Sequence, residues 1–256
     1  MPGVWVLRRN GPLNGDRKLM KGAENSFVGV GLYSVPEASR LTGVPSAAVR
    51  RWLFGYQAKT KGEKIEHPAL WTGQLTGEDQ RGVGFLDLLE IRFVAAFRSH
   101  GVSLQAIRAA SQFARELFNS SHPFTFKRFQ TDGKTIFAEI AEREMAEDDK
   151  SLLDLVKRQY AFERIMRPSL RGVVYGESGE ARAWHPTNSR YVILDPQRSF
   201  GRPIEPRSGV PTEVIYSAYK AEDNAKFVAR LYGLDLRSVK AAIAFQEKLG
   251  QGEIVH

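Results

Sequence analysis

The stretch "LYSVPEASRLTGVPSAAVRRWL", Leu32 to Leu53, holds two helix starts around one glycine and ends in a doubled arginine beside a tryptophan. Ser34 can cap free backbone N–H groups, Pro36 fits a first helical turn and Glu37 completes a capping box, so a helix is predicted from Val35. Thr42-Gly43 ends it, because glycine accepts the left-handed conformation that closes a helix or turns a corner. After Val44, Pro45-Ser46 opens a second helix in which Val49, Trp52 and Leu53 recur at spacings of three and four, while Ala47, Arg50 and Arg51 turn outward. Together they predict a helix-turn-helix with Val35, Ala38, Leu41, Val44, Val49 and Trp52 in one small core. Such a unit points the start of its second helix into a DNA major groove. Small Ser46 and Ala47 allow close approach, Arg50 reaches guanine edges or a phosphate, and Arg51 meets backbone.

A helical hairpin with solvated arginines carries the same pattern, so the placement of charge decides between the two. The chain has 256 residues and a formal net charge of +8. Residues 1 to 82 hold 12 Lys/Arg against 7 Asp/Glu, whereas 83 to 195 hold 16 against 15 and 196 to 256 hold 9 against 7. The excess sits with the motif, which is the electrostatic footprint of a polyanion partner. At this length, with 42% hydrophobic residues, the chain can form two folded units with real cores. The absence of cysteine excludes disulfides, thiolate nucleophiles and zinc fingers of the Cys type. No apolar run reaches bilayer length, and "MPGVWVLRRNGP" puts its basic pair after the apolar piece, the wrong order for a signal peptide. No membrane association and a cytoplasmic location are expected.

Ahead of the motif, residues 1–31 are glycine-rich and basic without periodicity, and are read as a flexible arm that follows a DNA groove or is a plain tail. Gly29-Val30-Gly31 is too short for a nucleotide-binding loop. Behind the motif, "FGYQAKTKGEKIEHPALWTG" sets Lys59, Lys61 and Lys64 around Gly62, which predicts a basic wing lying near the phosphates that flank a groove. Two amphipathic helices follow, with Phe85, Leu88, Leu89, Phe93, Ala96 and Phe97 on one apolar face and Leu104, Ile107, Ala110, Ala114 and Leu117 on the next; Gly101 and Ser103 separate them. The alternation around Asp132-Gly133 predicts a β-hairpin. Glu147, Asp148 and Asp149 open a further helix, as acids at a helix start do, rather than a metal site or an acid–base pair. His67, His122 and His185, each before a proline, read as turn or surface histidines, with no metal and no cofactor expected. "RGVVYG", "EARAWHP" and "RYVILDP" are short strands.

Near the end the opening theme returns. "ARLYGLDLRSVKAAIAFQ" aligns with "ASRLTGVPSAAVRRWLFG" at a constant offset of 190, matching Arg40, Leu41, Gly43 and Val49 with Arg230, Leu231, Gly233 and Val239. Lys240, Ala241 and Ala242 answer Arg50, Arg51 and Trp52, and Glu222 and Asp223 precede the pair. This second helix-turn-helix shape therefore favours dimerisation or partner binding through Ala241, Ala242 and Phe245 over a second DNA reader.

Leu32 to Leu53, through its Leu41-Thr42-Gly43-Val44 corner, and "GVSLQAIRAA" resemble MerR-type winged helix-turn-helix regulators. Tyr191 to Leu249 resembles the DUF433 antitoxin-like domain through Pro203, Gly209-Val210-Pro211-Thr212 and "SVKAAIAF". As a whole the chain is similar to VapB-type antitoxins with a MerR-like DNA-binding domain. That resemblance implies a homodimer that neutralises a VapC-type PIN-domain ribonuclease and represses its own operon, nucleoid-associated when on its operator and not an enzyme. Basic side chains aimed at an acidic nuclease centre nominate Arg198, Arg202 and Arg207 for the toxin contact. The alternative is a MerR-type metabolite-sensing regulator with its pocket in the Phe-rich middle. The expected fold is α+β and mainly α: a flexible arm (1–31), a MerR-like winged helix-turn-helix (32–120), a connecting region with short β-hairpins (121–195) and a helical DUF433-like domain (196–256).

Overall fold

The computed structural model describes residues 29–60, 63–77, 80–129, 132–137, 167–187 and 189–251. The expected arm up to residue 28, Lys61 and the helix expected at Glu147 to Asp149 lie outside the described residues.

The chain is mainly helical with small antiparallel sheets. Helices α1 (Val35–Thr42) and α2 (Ser46–Phe54) come first, then a hairpin of β1 (Tyr56–Thr60) and β2 (Glu63–His67) and a minimal pair, β3 (Thr76–Gly77) with β4 (Gln80–Arg81). Helices α3 (Phe85–Ser99) and α4 (Leu104–Phe118) follow. A four-stranded sheet runs in the order β5 (Val173–Tyr175), β6 (Ala181–Trp184), β7 (Ile193–Leu194) and β8 (Pro203–Ile204). The last helices are α5 (Thr212–Glu222), α6 (Ala225–Tyr232) and α7 (Leu236–Gln251).

The local signals act as read. Ser34 and Glu37 form the capping box of α1, with the Ser34 N–H donating to Glu37 Oε2 at 2.7 Å and the Glu37 N–H to Ser34 Oγ at 3.3 Å. Gly43 closes α1 at φ 71°, and Ser103 caps α4 through the Ala106 N–H. The "RGVVYG", "EARAWHP" and "RYVILDP" runs supply β5, β6 and β7.

Long-range packing overrules four local readings. Asp132 and Gly133 lie in a helical run, residues 132–137, and not in a hairpin. Phe129, Ile136 and Phe137, at helical spacing, are all buried there, and the rings of Phe129 and Phe137 meet Phe93 and Phe97 of α3, with the Phe97 and Phe137 centroids 4.8 Å apart. Burying three large apolar side chains outweighs a two-residue turn preference. His122 is buried rather than on a turn surface, with Nε2 2.8 Å from Asp87 Oδ1. Leu117 is exposed, and Ser111 takes a buried place on α4 instead. Trp52 is only half-buried against the core, and Leu53 fills the interior.

One apolar core runs from Tyr33 and the α1–α2 pair through α3 and α4 to Trp184, Leu194 and Phe245. Hydrogen bonds tie its start to the turn between β7 and β8: the Leu32 N–H donates to Phe200 O at 3.0 Å, and the Tyr33 hydroxyl to Gly201 O at 2.7 Å. A second cluster, around Ile215, Val228, Val239 and Ala242, holds α5 to α7 together. Between α3 and the sheet the buried Arg92 guanidinium lies 4.2 Å from the Trp184 ring centroid, and burial lowers its pKa to about 10, which leaves it cationic at neutral pH.

Glu90, beside this core, is fully buried, and the Phe124 N–H donates to its Oε1 at 2.9 Å. Burial pushes its carboxyl well above the ordinary value, against the pull of that hydrogen bond and of Arg115. The folded chain therefore keeps a proton that the unfolded chain releases, so this group's contribution is full below the ordinary carboxyl range and falls as pH rises above it. Glu90→Gln retains the Oε1 acceptor and cannot ionise. Its melting temperature is expected to exceed that of the parent at pH 8, with the gap closing toward pH 4; a gap independent of pH would show that Glu90 does not titrate differently on folding.

Candidate nucleic-acid interface

Helix α2 buries Val49 and Leu53 and leaves Ala47, Arg50 and Arg51 exposed, with Ser46 half-buried at its first turn. The side expected to meet DNA is therefore free of the chain's own core. Arg50 has no hydrogen-bond or ionic partner among the described residues, so its planar fork is free for an acceptor. Arg51 is held: its guanidinium sits 5.3 Å from the centroid of the Tyr56 ring, which stacks on His67 at 4.4 Å.

Gly55 sets the angle between α2 and the hairpin. It adopts φ 71°, and a Cβ there would lie 2.6 Å from His67 O. No side chain fits, so the hairpin can close directly onto the end of α2. Its far end is fixed by arginines of α4. Arg108 donates to Ala69 O at 2.9 Å and Pro68 O at 3.0 Å, and Arg115 donates to Leu70 O at 3.0 Å. The Leu70 N–H returns to Trp52 O at 2.8 Å. Sequence does not single out these arginines, because cations seven residues apart on an amphipathic helix look the same whether they are solvated or clamp a loop.

On the hairpin, Lys59 pairs directly opposite Lys64, and both are exposed. Like charges at facing positions destabilise a two-stranded ribbon, an arrangement that a polyanion relieves. Only Lys61 of the three wing lysines lies outside the described residues. The structure thus brings Ser46, Ala47, Arg50, Arg51, Lys59 and Lys64 onto one helix and its adjoining hairpin.

The other nominated residues are dispersed. Arg198 is half-buried and donates to Pro206 O at 2.6 Å, a loop tie rather than a free cation. Arg202 and Arg207 are exposed; Arg202 stands with Arg40, Glu37 and Glu213 on a cleft of about 500 Å3 between α1, α5 and α7. Ala242 and Phe245, expected at a dimer surface, are buried in the chain's own packing, and Ala241 is half-buried. Their apolar face is consumed by α5, α6 and the N-terminal core and is unavailable to a second copy. Among the described residues the Phe-rich middle is packed, with Phe93, Phe97, Phe124, Phe129 and Phe137 buried ring against ring. No helix among the described residues is long and apolar enough to cross a membrane.

Comparison with known proteins agrees with this geometry. Residues 31–111 match a family described as "Putative DNA-binding HTH domain", which spans α1, α2, the basic hairpin, α3 and part of α4. The chain carries a helix-turn-helix domain at its N-terminal side. A Mycobacterium tuberculosis protein named "Putative antitoxin VapB45" is 28% identical over 235 residues, which are 84% of this chain and 95% of that protein. The crystal structure of Rv2018 from Mycobacterium tuberculosis shares the fold, with a TM-score of 0.62 at 24% identity over 84% of this chain and 98% of its own. The likeness to VapB-type antitoxins with a helix-turn-helix domain, read first from short motifs, extends over most of the chain.

Proposed function

We propose that this chain, similar to VapB-type antitoxins and carrying an N-terminal helix-turn-helix, is an antitoxin that neutralises a VapC-type PIN-domain ribonuclease and represses its own operon. The observation that carries the DNA half of this reading is the exposed face of α2, with Arg50 unpartnered and the Lys59–Lys64 hairpin beside it. In detail the reading is a MerR-like DNA-binding unit over 32–120, a connecting region over 121–195 and a DUF433-like unit over 196–256. Two copies place two α2 helices in successive major grooves of a symmetric operator, so the protein resides in the cytoplasm and joins the nucleoid when bound. Affinity falls as salt rises, because lysines and arginines on phosphates release condensed counterions. The chain acts by binding and performs no catalysis of its own.

Toxin neutralisation rests on similarity to the named antitoxin and on the free cations Arg202 and Arg207. These suit a carboxylate-lined nuclease centre, whereas Arg198 is committed to Pro206. The gene adjoining this one provides the test. A PIN-domain ribonuclease encoded there should co-purify with the tagged chain after co-expression and lose its RNA cleavage. Independent elution of the two proteins with cleavage unchanged overturns the antitoxin reading. Arg202→Ala with Arg207→Ala should weaken that complex about tenfold or more, as loss of interfacial charge contacts does; an unchanged complex removes these two residues from the contact.

A further inference from the structure

The two helix-turn-helix shapes share more than an alignment. Helix α6 begins and ends 190 residues after α1, α7 begins 190 residues after α2, and Gly233 turns the corner at φ 63° where Gly43 does so at φ 71°. The second unit buries Val239, Ala242 and Ile243, and this leaves Arg237 and Lys240 exposed at the start of α7, at the places of Ala47 and Arg50.

A second arginine arrives from the preceding loop. Arg190 Nη2 donates to the Tyr191 hydroxyl at 3.2 Å with its guanidinium 5.2 Å from the ring centroid. Arg190 thus lies on the Tyr191 phenol, and its hydrogen bond, with the positive charges of Arg190 and of the exposed Arg237, draws the phenol pKa down. Asp235 also attracts the Arg190 cation, and its Oδ1 accepts the Arg237 N–H at 2.9 Å and so caps α7. Glu222 and Asp223, which weigh against DNA in the sequence, stand at the far end of α6, about 10 Å along the helix axis from Gly233. Bringing like charges together at a surface is unfavourable unless an anion joins them, and phosphate oxygens match the fork geometry of arginine.

We propose that Arg190, Arg237 and Lys240 form a second duplex-DNA contact, which binds backbone phosphates beside the helix-turn-helix of residues 31–111. This replaces the dimer role expected for α7, whose apolar residues are already buried. It shares with the proposed function the premise that the chain meets duplex DNA, and separate variants distinguish the two.

The experiment uses the full chain and a fluorescein-labelled 40-base-pair duplex of arbitrary sequence, with anisotropy titrations between about 50 and 200 mM NaCl. The variant R190A/R237A/K240A should flatten the slope of log affinity against log salt by about 0.9 per lost phosphate contact, about 2.7 in all, equivalent to about fortyfold less salt sensitivity over that range. The variant K127A/R182A/K220A removes the same charge from exposed positions off α7 and should leave the slope within error of the parent. Circular dichroism melts establish that each variant is folded. Equal slopes for the first variant and the parent, or equal flattening by both triple variants, overturn the second contact. R50A/R51A reports on α2 separately: its loss of affinity beside an unaffected R190A/R237A/K240A leaves the first reading standing and the second refuted, and the reverse pattern does the opposite.

Discussion

Alanine at both Arg50 and Arg51 abolishes most discrimination between an operator duplex and unrelated DNA, with the circular dichroism spectrum of a folded chain retained. Arg50 is exposed with nothing among the described residues to bond, so its removal costs about 1 to 3 kcal/mol if it reads a guanine edge, and less for a phosphate. Arg51 acts differently. Its guanidinium lies over Tyr56 at the base of the hairpin, so Arg51→Ala also loosens the attachment of β1 to α2. Tyr56→Ala should reproduce that part of the defect without touching a DNA contact. The operator is first obtained by selection from a random duplex pool with the parent protein, and affinities are then compared on operator and scrambled duplex. A double variant that binds both duplexes as the parent does would remove α2 as the reading element.

The largest loss of stability is expected at Asp87. This carboxylate, fully buried at the start of α3, accepts from Trp71 Nε1 at 2.8 Å, the Gln74 N–H at 3.0 Å and the Gly84 N–H at 2.9 Å, and meets His122 Nε2 at 2.8 Å. It joins the segment leaving the hairpin, the start of α3 and the loop after α4 at one point. Asp87→Ala strands four polar groups at once, three of them buried, for which about 3 to 5 kcal/mol is the expected destabilisation. In a chain of this size each kcal/mol moves the melting temperature by about 2 to 4 °C, so the variant should melt about 6 to 20 °C lower. Asp87→Asn keeps one acceptor oxygen and should fall between. A melting temperature for Asp87→Ala within 2 °C of the parent would show that water replaces the network.

Why some of this was legible in the sequence and some was not follows from the range of the forces. The Ser34–Glu37 box, Gly43, Ser103 and Gly233 act within one turn of chain, and each does what its residue type dictates. The outward face of α2 was readable for the same reason, since helix period alone separates Val49 from Arg50. Asp132-Gly133 was misread because its fate is set by Phe93 and Phe97, about forty residues earlier, which no local pattern contains. His122 and Asp87 are 35 residues apart, and their union depends on how α3 and α4 cross. Ala242 and Phe245 looked like surface because an apolar helix face says that it will be covered, not by what. Here the covering surface belongs to the same chain.

Phe245 has one more consequence. Its side chain sits in the same core as Tyr33, Val35 and Leu41, two hundred residues before it. During synthesis the opening helices leave the ribosome long before that phenyl group exists, so the early portion waits, incompletely sealed, for a late arrival. Sealing of the first core is thereby tied to the completion of each copy.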